Sequence, residues 1–585
     1  MPIHISAPSG WIRKAPRLYD ASKLTLQPAA PNKKWPRLLC TPPFPTGLLQ
    51  TPARYLSCIF YRPSQFPPAI EMAWIDGWPL VVLAAVGLFL LQSAASAVVR
   101  SNTKENALWA KLDTVDVASG GPFPWGRAIA VSIISTKTFV NEGYARFSKA
   151  LGRPYALSTT WTGKAMVVVS PSQMHQLLTR PDKQADSEIT NIPGLVETVQ
   201  MPFVISDPNI YQNTIQFDVV RRKMTKKDMR LFAPITEEEV GLAYEDIWGT
   251  SKEWKTINGW DACGQVIART AQRILVGLPL GRDEKLLETS RLYANSVLLG
   301  GALMNCFPPF VRKFVGPIIA LRARYYQARC VSMLEPIVNE RLRIFSAPKQ
   351  DEKEPEDFLQ WLIATAAKGG PEQLNATRIA NRLIALMTPL IFAEEFINGL
   401  YAECRAVSEK HAGLGTAGAV DSLYSIDSTI RESMRTSDVA VTNLFRDVSA
   451  GEVDLGDGIT VTKGVRMAFP TQNIHLDPEY YEDPKRFDAF RFSRGFEGLD
   501  ETGLQARAQE RELIVTPTLS FLPLGYGRHA CPGRWFAAQT MKQALVYIVL
   551  NYDVELMGKP ITRKALVNTM VPPVDAKMRI RSKTR

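Results

Sequence analysis

The chain is poor in the residues that bind metals or staple secreted folds. Its seven cysteines (40, 58, 263, 306, 330, 404 and 531) are spread over 585 residues, with neither the close pairs of a metal site nor a disulfide framework. This agrees with a reducing compartment. Five histidines are too scattered for a zinc centre, and no internal repeat is evident. Acid is scarce at the front: residues 1–71 hold two acidic against nine basic side chains and 13 of the 41 prolines. With no helical or strand period, they are expected to form a disordered, basic, Pro-rich extension. The extension supplies +7 of the formal +12, leaving +5 over the other 514 residues, which does not imply a nucleic-acid partner.

Charge is absent altogether from residues 79–99, long enough to span a bilayer and so expected to be a transmembrane anchor. Trp74 and Trp78 flank one end. Arg100, Lys104 and Lys111 follow the other, so the side carrying the main body should be cytosolic. Nine basic residues in front of the anchor would oppose that orientation. Either translation starts at Met72 rather than Met1, or residues 1–71 are a basic, acid-poor targeting segment. Pro122, Pro124 and the glycines at 120, 121 and 126 read as a hinge into a body spanning 112–585. Helical periodicity dominates that body, as in 222–247, 317–345 and 374–387.

One segment stands out chemically: Phe521-Leu-Pro-Leu-Gly-Tyr-Gly-Arg-His-Ala-Cys531-Pro-Gly-Arg. It puts one cysteine on a glycine-rich loop ahead of a helical pattern from Arg534 to Leu550, with Pro532 suited to a first helical position. Unpaired N–H groups and the helix dipole favour an anion there, so the thiol is expected to ionise readily and to be able to bind a metal. A competing pattern is Gly525-x-Gly527-x-x-Ala530, a dinucleotide fingerprint between strand-like Leu513–Thr516 and Val546–Leu550 with Asp553. That reading would place Pro532 and Gly533 in the first turn of its helix and leave 32 residues to finish a nucleotide-binding sheet.

Upstream, residues 421–435 carry apolar side chains at 423, 426, 430 and 434, one helical face, with Glu432 and Arg435 one turn apart. A hairpin-like stretch at 456–464 follows, then Pro484, Phe487, Arg491 and Phe492. Taken with Leu524, Gly527, His529, Cys531 and Gly533, these motifs resemble, in order, those of the cytochrome P-450 monooxygenases in the wording of fungal, membrane-anchored, secondary-metabolism members. Leu524 replaces the usual phenylalanine of the haem loop.

The resemblance implies a mainly α fold, one large helical domain with small β-sheet regions, preceded by one transmembrane helix. It overrides the prior of about three domains for a body of this length. It implies haem b, iron protoporphyrin IX, with Cys531 as the axial ligand of the iron and Leu524, Gly527, His529 and Gly533 about the cofactor. Glu432, Arg435 and Arg491 are expected to form a buried structural triad. The partners implied are O2, a small apolar substrate such as a terpenoid or other fungal secondary metabolite, the membrane, and an NADPH-cytochrome reductase docking near Arg528, Arg534 and Lys542. The location implied is the endoplasmic reticulum membrane, single-pass, with the catalytic body on the cytosolic side.

The pattern breaks after Arg378–Met387, where the family's distal helix should carry an acid–alcohol pair. Thr388 is followed by Pro389 and lacks the acidic neighbour, so no distal catalytic residue is identified. A block of roughly 20 residues, about 30 Å of helix, is expected to be missing near 387–394. The alternative to an active monooxygenase is therefore a catalytically impaired haem-binding relative or a mis-spliced product. Residues 437–445 are candidates for the substrate pocket.

Overall fold

The computed structural model describes residues 104–115, 117, 124–179, 183–184, 187–190, 201–346, 357–387, 400–496, 499, 502–503, 513–558 and 563–583, all within the unit Gln65–Arg585. The principal helices are α1 Pro124–Gly143, α2 Ile215–Lys223, α3 Met229–Ile247, α4 Gly259–Val276, α5 Glu284–Asn305 and α6 Leu321–Ser346. They continue with α7 Phe358–Ala367, α8 Ala376–Leu386, α9 Tyr401–His411, α10 Tyr424–Thr436 and α11 Arg534–Asn551.

Several helix starts are written in side chains. Asn258, Asp283, Asp357 and Asn375 accept from the N–H groups of Asp261, Leu286, Gln360 and Arg378 at 2.7–3.1 Å, satisfying donors that a first turn leaves bare. The period expected over 222–247 is broken for the same reason. Thr225 and Asp228 cap each other reciprocally, so α2 ends at Lys223 and α3 starts afresh at Met229. The patterns at 317–345, 374–387 and 421–435 appear as α6, α8 and α10.

The helical core joins α3 to α8 through Phe232, Tyr293, Leu334, Phe358, Leu362, Ile379 and Leu383, all buried. Strands are β1 Tyr155–Ser158, β2 Ala165–Val168, β3 Ser187–Thr190, β4 Lys255–Asn258, β5 Asn443–Asp454, β6 Arg466–Phe469, β7 Tyr552–Leu556 and β8 Lys577–Ser582. In the larger sheet β1 pairs antiparallel with β2, β2 parallel with β6 (Val167 opposite Met467), and β5 antiparallel with both β6 and β3. Every residue of β1, β2 and β6 is buried, as for strands covered on both faces. The expected hairpin at 456–464 forms where Thr460–Thr462 folds back on Glu452–Asp454. β4, β8 and β7 make a separate antiparallel sheet.

The fold is mainly helical with small sheets, as expected, while the membrane expectation and the competing dinucleotide reading are not upheld, and the expected deletion near 387–394 lies outside the described residues. No helix among the described residues is long and apolar enough to cross a membrane. Single-pass anchoring in the endoplasmic reticulum membrane is therefore not supported; the run 79–99 on which it rested, and residues 1–71, lie outside the described residues. The dinucleotide reading fails on topology, since Leu513–Thr516 is not a strand and Val546–Leu550 lies inside α11. Near 387–394 the described chain stops at Met387, just past α8, and resumes at Leu400; Thr388 lies outside it.

Candidate functional site around Cys531

The site is organised from α10. Its inward side carries Ile426 and Ile430, yet Asp427, Ser428, Thr429, Arg431, Glu432, Ser433 and Arg435 are buried with them. Buried polar groups are costly unless bonded, and here their partners belong to the irregular chain that leads to Cys531. Asp427 accepts from the Ile514 N–H at 2.8 Å and pairs with Lys542 of α11 at 2.7 Å. Ser428 accepts from the Phe492 N–H at 3.0 Å. Arg431 donates to the carbonyls of Leu513 and Thr516 and lies over the rings of Phe492 and Phe521, 4.6 and 4.0 Å from their centres.

The structure brings Glu432, Arg435 and Arg491 together. Arg435 grips Glu432 with two bonds of 2.7 Å, and Arg491 Nε reaches both carboxylate oxygens at 3.1 and 3.2 Å. Glu432 and Arg435 are fully buried. Spare donors are used: Arg435 binds the carbonyls of His475 and Pro484, and Arg491 those of Glu482, Asp483 and Arg486. The Asp488 N–H adds a further bond to Glu432 at 3.1 Å. This meets the condition under which a buried ion pair escapes its desolvation penalty.

Cys531 lies on a loop shaped by two glycines with positive φ. Gly525 (+80°) could not carry a side chain without meeting the His529 carbonyl at 2.8 Å, and Gly527 (+62°) opens the tight turn 527–529 that contains His529. The Leu524 carbonyl accepts from the Cys531 N–H at 2.7 Å, closing the loop, while the Leu524 side chain packs beside α10 and α11. Gly533 is the cap of α11, which begins at Arg534, so Pro532 precedes the helix rather than opening it. A Cβ on Gly533 would reach Val220 of α2 at 3.7 Å.

The expected easily ionised thiol is corrected. Burial pushes the Cys531 thiol up, and the opposing Gly533 N–H and Arg534 charge do not overcome it. A neutral thiol that becomes an anion on binding a cation fits this setting better than a free thiolate. Among the described residues no group of three or more His, Cys, Asp or Glu could hold a metal ion. A lone thiol suits a metal that brings its other ligands in a macrocycle. Leu524 on the loop and Trp535, Phe536 and Ala537 in the first turn of α11, near Cys531 in sequence, are only part-buried apolar residues, the kind of surface a flat apolar ring would cover. These residues fit a haem.

Arg534 and Lys542, expected on a docking face, are engaged internally. Arg534 donates to the carbonyls of Val515 and Cys531 at 3.0 Å, and Lys542 is buried against Asp427. Arg528 is exposed. Asp427, Ser428, Arg431 and His475 were not foreseen as members of the site. Asp427 borders the 423–426–430 stripe, a signal that could have marked it as inward, whereas Ser428 and Arg431 lie off that stripe and His475 belongs to another helix.

A family model described as Cytochrome P450 matches residues 394–578. The chain is 32% identical over 495 residues to the cytochrome P450 monooxygenase gloP of Glarea lozoyensis, covering 79% of this chain and 89% of that protein. It is 32% identical to the cytochrome P450 monooxygenase htyF of Aspergillus rugulosus, covering 85% and 76%. In fold it is similar to a retinoic acid-bound cyanobacterial CYP120A1, with a TM-score of 0.54 at 15% identity, covering 77% of this chain and 97% of that one.

Proposed function

Because the chain belongs to the cytochrome P450 monooxygenases, we propose that Cys531 would hold a haem iron through its thiolate and that the protein oxidises an apolar small molecule with O2. The observation that carries the assignment is the position of Cys531. It is a lone, partly buried thiol on a glycine-shaped loop directly before α11, with part-buried apolar residues on the loop and in the first turn of that helix. The cofactor would be haem b, which when bound supplies the redox and oxygen chemistry.

The chain's own contribution is to position and to exclude water. Gly533 directs its N–H at the Cys531 sulfur and Arg534 adds positive charge, which together stabilise the thiolate once it forms. Leu524, Gly527, His529 and Gly533 are assigned to the wall of the cofactor site. The triad Glu432, Arg435 and Arg491 holds the stretch 475–491 that precedes the segment carrying this wall. The substrate is read as a terpenoid or other fungal secondary metabolite, supported by the fungal monooxygenases the chain is similar to. Electrons would come from NADPH through a cytochrome reductase, with Arg528 the exposed cation of the expected docking group. The working body is taken as 112–585, with 1–71 an extension to it.

A second reading is favoured by one observation: α8 has only 11 residues, and α9 begins at Tyr401. A chain lacking the rest of a long distal helix would bind haem yet use oxygen poorly. The reduced, carbon monoxide-bound absorption spectrum of the full chain tests the first assignment. A red-shifted Soret band that vanishes in Cys531→Ala is expected; its persistence in that variant overturns the ligand. Sequencing the transcript across codons 387–394 then separates the readings, an extra segment containing a threonine supporting the active enzyme and the join as written supporting the impaired one.

A further inference from the structure

His475 is the last residue of a short helix, Thr471–His475, and is fully buried, yet neither the ion cluster nor the cysteine loop as described above uses its side chain. Both ring nitrogens are bonded. Nδ1 lies 2.8 Å from Asp438 Oδ2, and Nε2 lies 2.9 Å from the backbone nitrogen of Leu522. A backbone N–H can only donate, so Nε2 is the bare acceptor, and the proton sits on Nδ1, donated to Asp438. The ring is a neutral imidazole of defined tautomer.

Its three attachments belong to the three pieces of the site. Asp438 lies two residues past the end of α10. The His475 carbonyl accepts from Arg435, tying its backbone to the ion cluster. Leu522 is fully buried on the segment that runs into the cysteine loop, two residues before Leu524, whose carbonyl holds the Cys531 N–H. Irregular chain has no ladder of its own to fix its height, so each such bond sets where the next residue sits.

Building on the haem-thiolate reading, we propose that His475 is a positioning residue for the thiolate loop, its Nε2 fixing Leu522 and its Nδ1–H bond to Asp438 holding the tautomer that makes this possible. A merely space-filling role would not distinguish the two nitrogens. Glutamine can place its amide oxygen where Nε2 lies, whereas asparagine reaches only the Nδ1 position. His475→Gln should therefore keep the acceptor for Leu522, and His475→Asn should lose it.

Two measurements on the full chain test the proposal. In the unmutated protein labelled with 15N-histidine, one of its five histidines, identified by its loss in His475→Gln, should show a protonated Nδ1 and a bare Nε2. The Leu522 amide should exchange slowly. In His475→Asn that amide should exchange at least about tenfold faster, equivalent to about 1.4 kcal/mol, and the reduced carbon monoxide complex should shift toward the band of a lost thiolate; His475→Gln should restore both. A protonated Nε2, or rapid Leu522 exchange, in the unmutated chain overturns the proposal even if the variants fail to fold. Equal behaviour of Gln and Asn overturns it as well. Absence of the thiolate band in the unmutated chain, with tautomer and exchange as stated, would instead count against Cys531 as ligand and leave the His475 clamp standing.

Discussion

Replacing Glu432 by glutamine isolates what the buried cluster contributes, because size is kept and charge is lost. The carboxylate accepts from Arg435 twice, from Arg491 and from the Asp488 N–H, with no exposure to water. Glutamine retains one oxygen and turns an NH2 group toward a guanidinium, leaving the fully buried Arg435 without its counter-charge. Removing one partner of such a pair costs about 3–5 kcal/mol, a factor of about 10² or more in the folding equilibrium and a large share of the roughly 5–15 kcal/mol that holds a domain folded. Glu142 and Arg146 provide the control. They are one turn apart, Glu142 at the end of α1 and Arg146 in the helical segment Tyr144–Lys149 that follows it, with side chains about half exposed, and Glu142→Gln should cost no more than about 0.5 kcal/mol. Urea unfolding of the full chain followed by circular dichroism reads both, and the Soret band of the reduced carbon monoxide complex reports the loop. Equal losses in the two variants would refute the reasoning, since the cluster would then be no stronger than a surface pair.

Three further outcomes follow from the same geometry. In the haem-free chain Cys531, whose thiol is raised by burial, should alkylate more slowly at pH 8 than free cysteine and speed up only above the ordinary thiol range; mass spectrometry with Cys531→Ser as reference reads this, and faster alkylation would contradict the placement. Burial alone would raise the Asp477 carboxyl, but the bonds from Lys149 and Tyr144 outweigh it and leave it lowered. Its stabilisation is therefore present above the unfolded carboxylate pKa of about 4 and lost as pH falls through the lower folded value. Asp477→Asn should cost about 1 kcal/mol at pH 7, discounted for the part-exposed Lys149, and progressively less toward pH 3; thermal melts across pH check this, and a pH-independent loss would exclude the linkage. Gly525→Ala must place a Cβ 2.8 Å from the His529 carbonyl at φ +80°. It should cost about 1–3 kcal/mol and lower haem occupancy, read as the Soret-to-protein absorbance ratio, whereas an unchanged ratio would mean the loop is not held as described.

What the sequence made legible depended on how local the cause was. Glu432 and Arg435 stand one turn apart on a helix whose stripe was plain, and Gly525 and Gly527 announce a loop that only they can make. Arg491 could be added because its spacing followed a recognisable order. The break between α2 and α3 is also local, carried by Thr225 and Asp228, but the apolar period runs through it and hides it. Lys542 was misread for a different reason. A lysine on a helix is usually solvated, and nothing near it in sequence shows that Asp427, more than a hundred residues earlier, would bury it in an ion pair.

The same distinction explains why the cysteine loop depends on distant side chains. Cys531 donates its N–H to Leu524 and its carbonyl accepts only from Arg534, so it sits in no helix or strand ladder. The coil before it is held from α10 by Asp427, Ser428, Arg431 and Glu432, and from the short helix by His475, each reaching a different peptide group. Such bonds contribute about 1 kcal/mol each when made, and leaving one buried partner unsatisfied costs about 1–3 kcal/mol. A single loss should therefore displace the loop locally before it unfolds the domain. The polar side of α10, an apparent defect in an amphipathic helix, is thus what fixes the coil 488–516 from which the cysteine loop is reached.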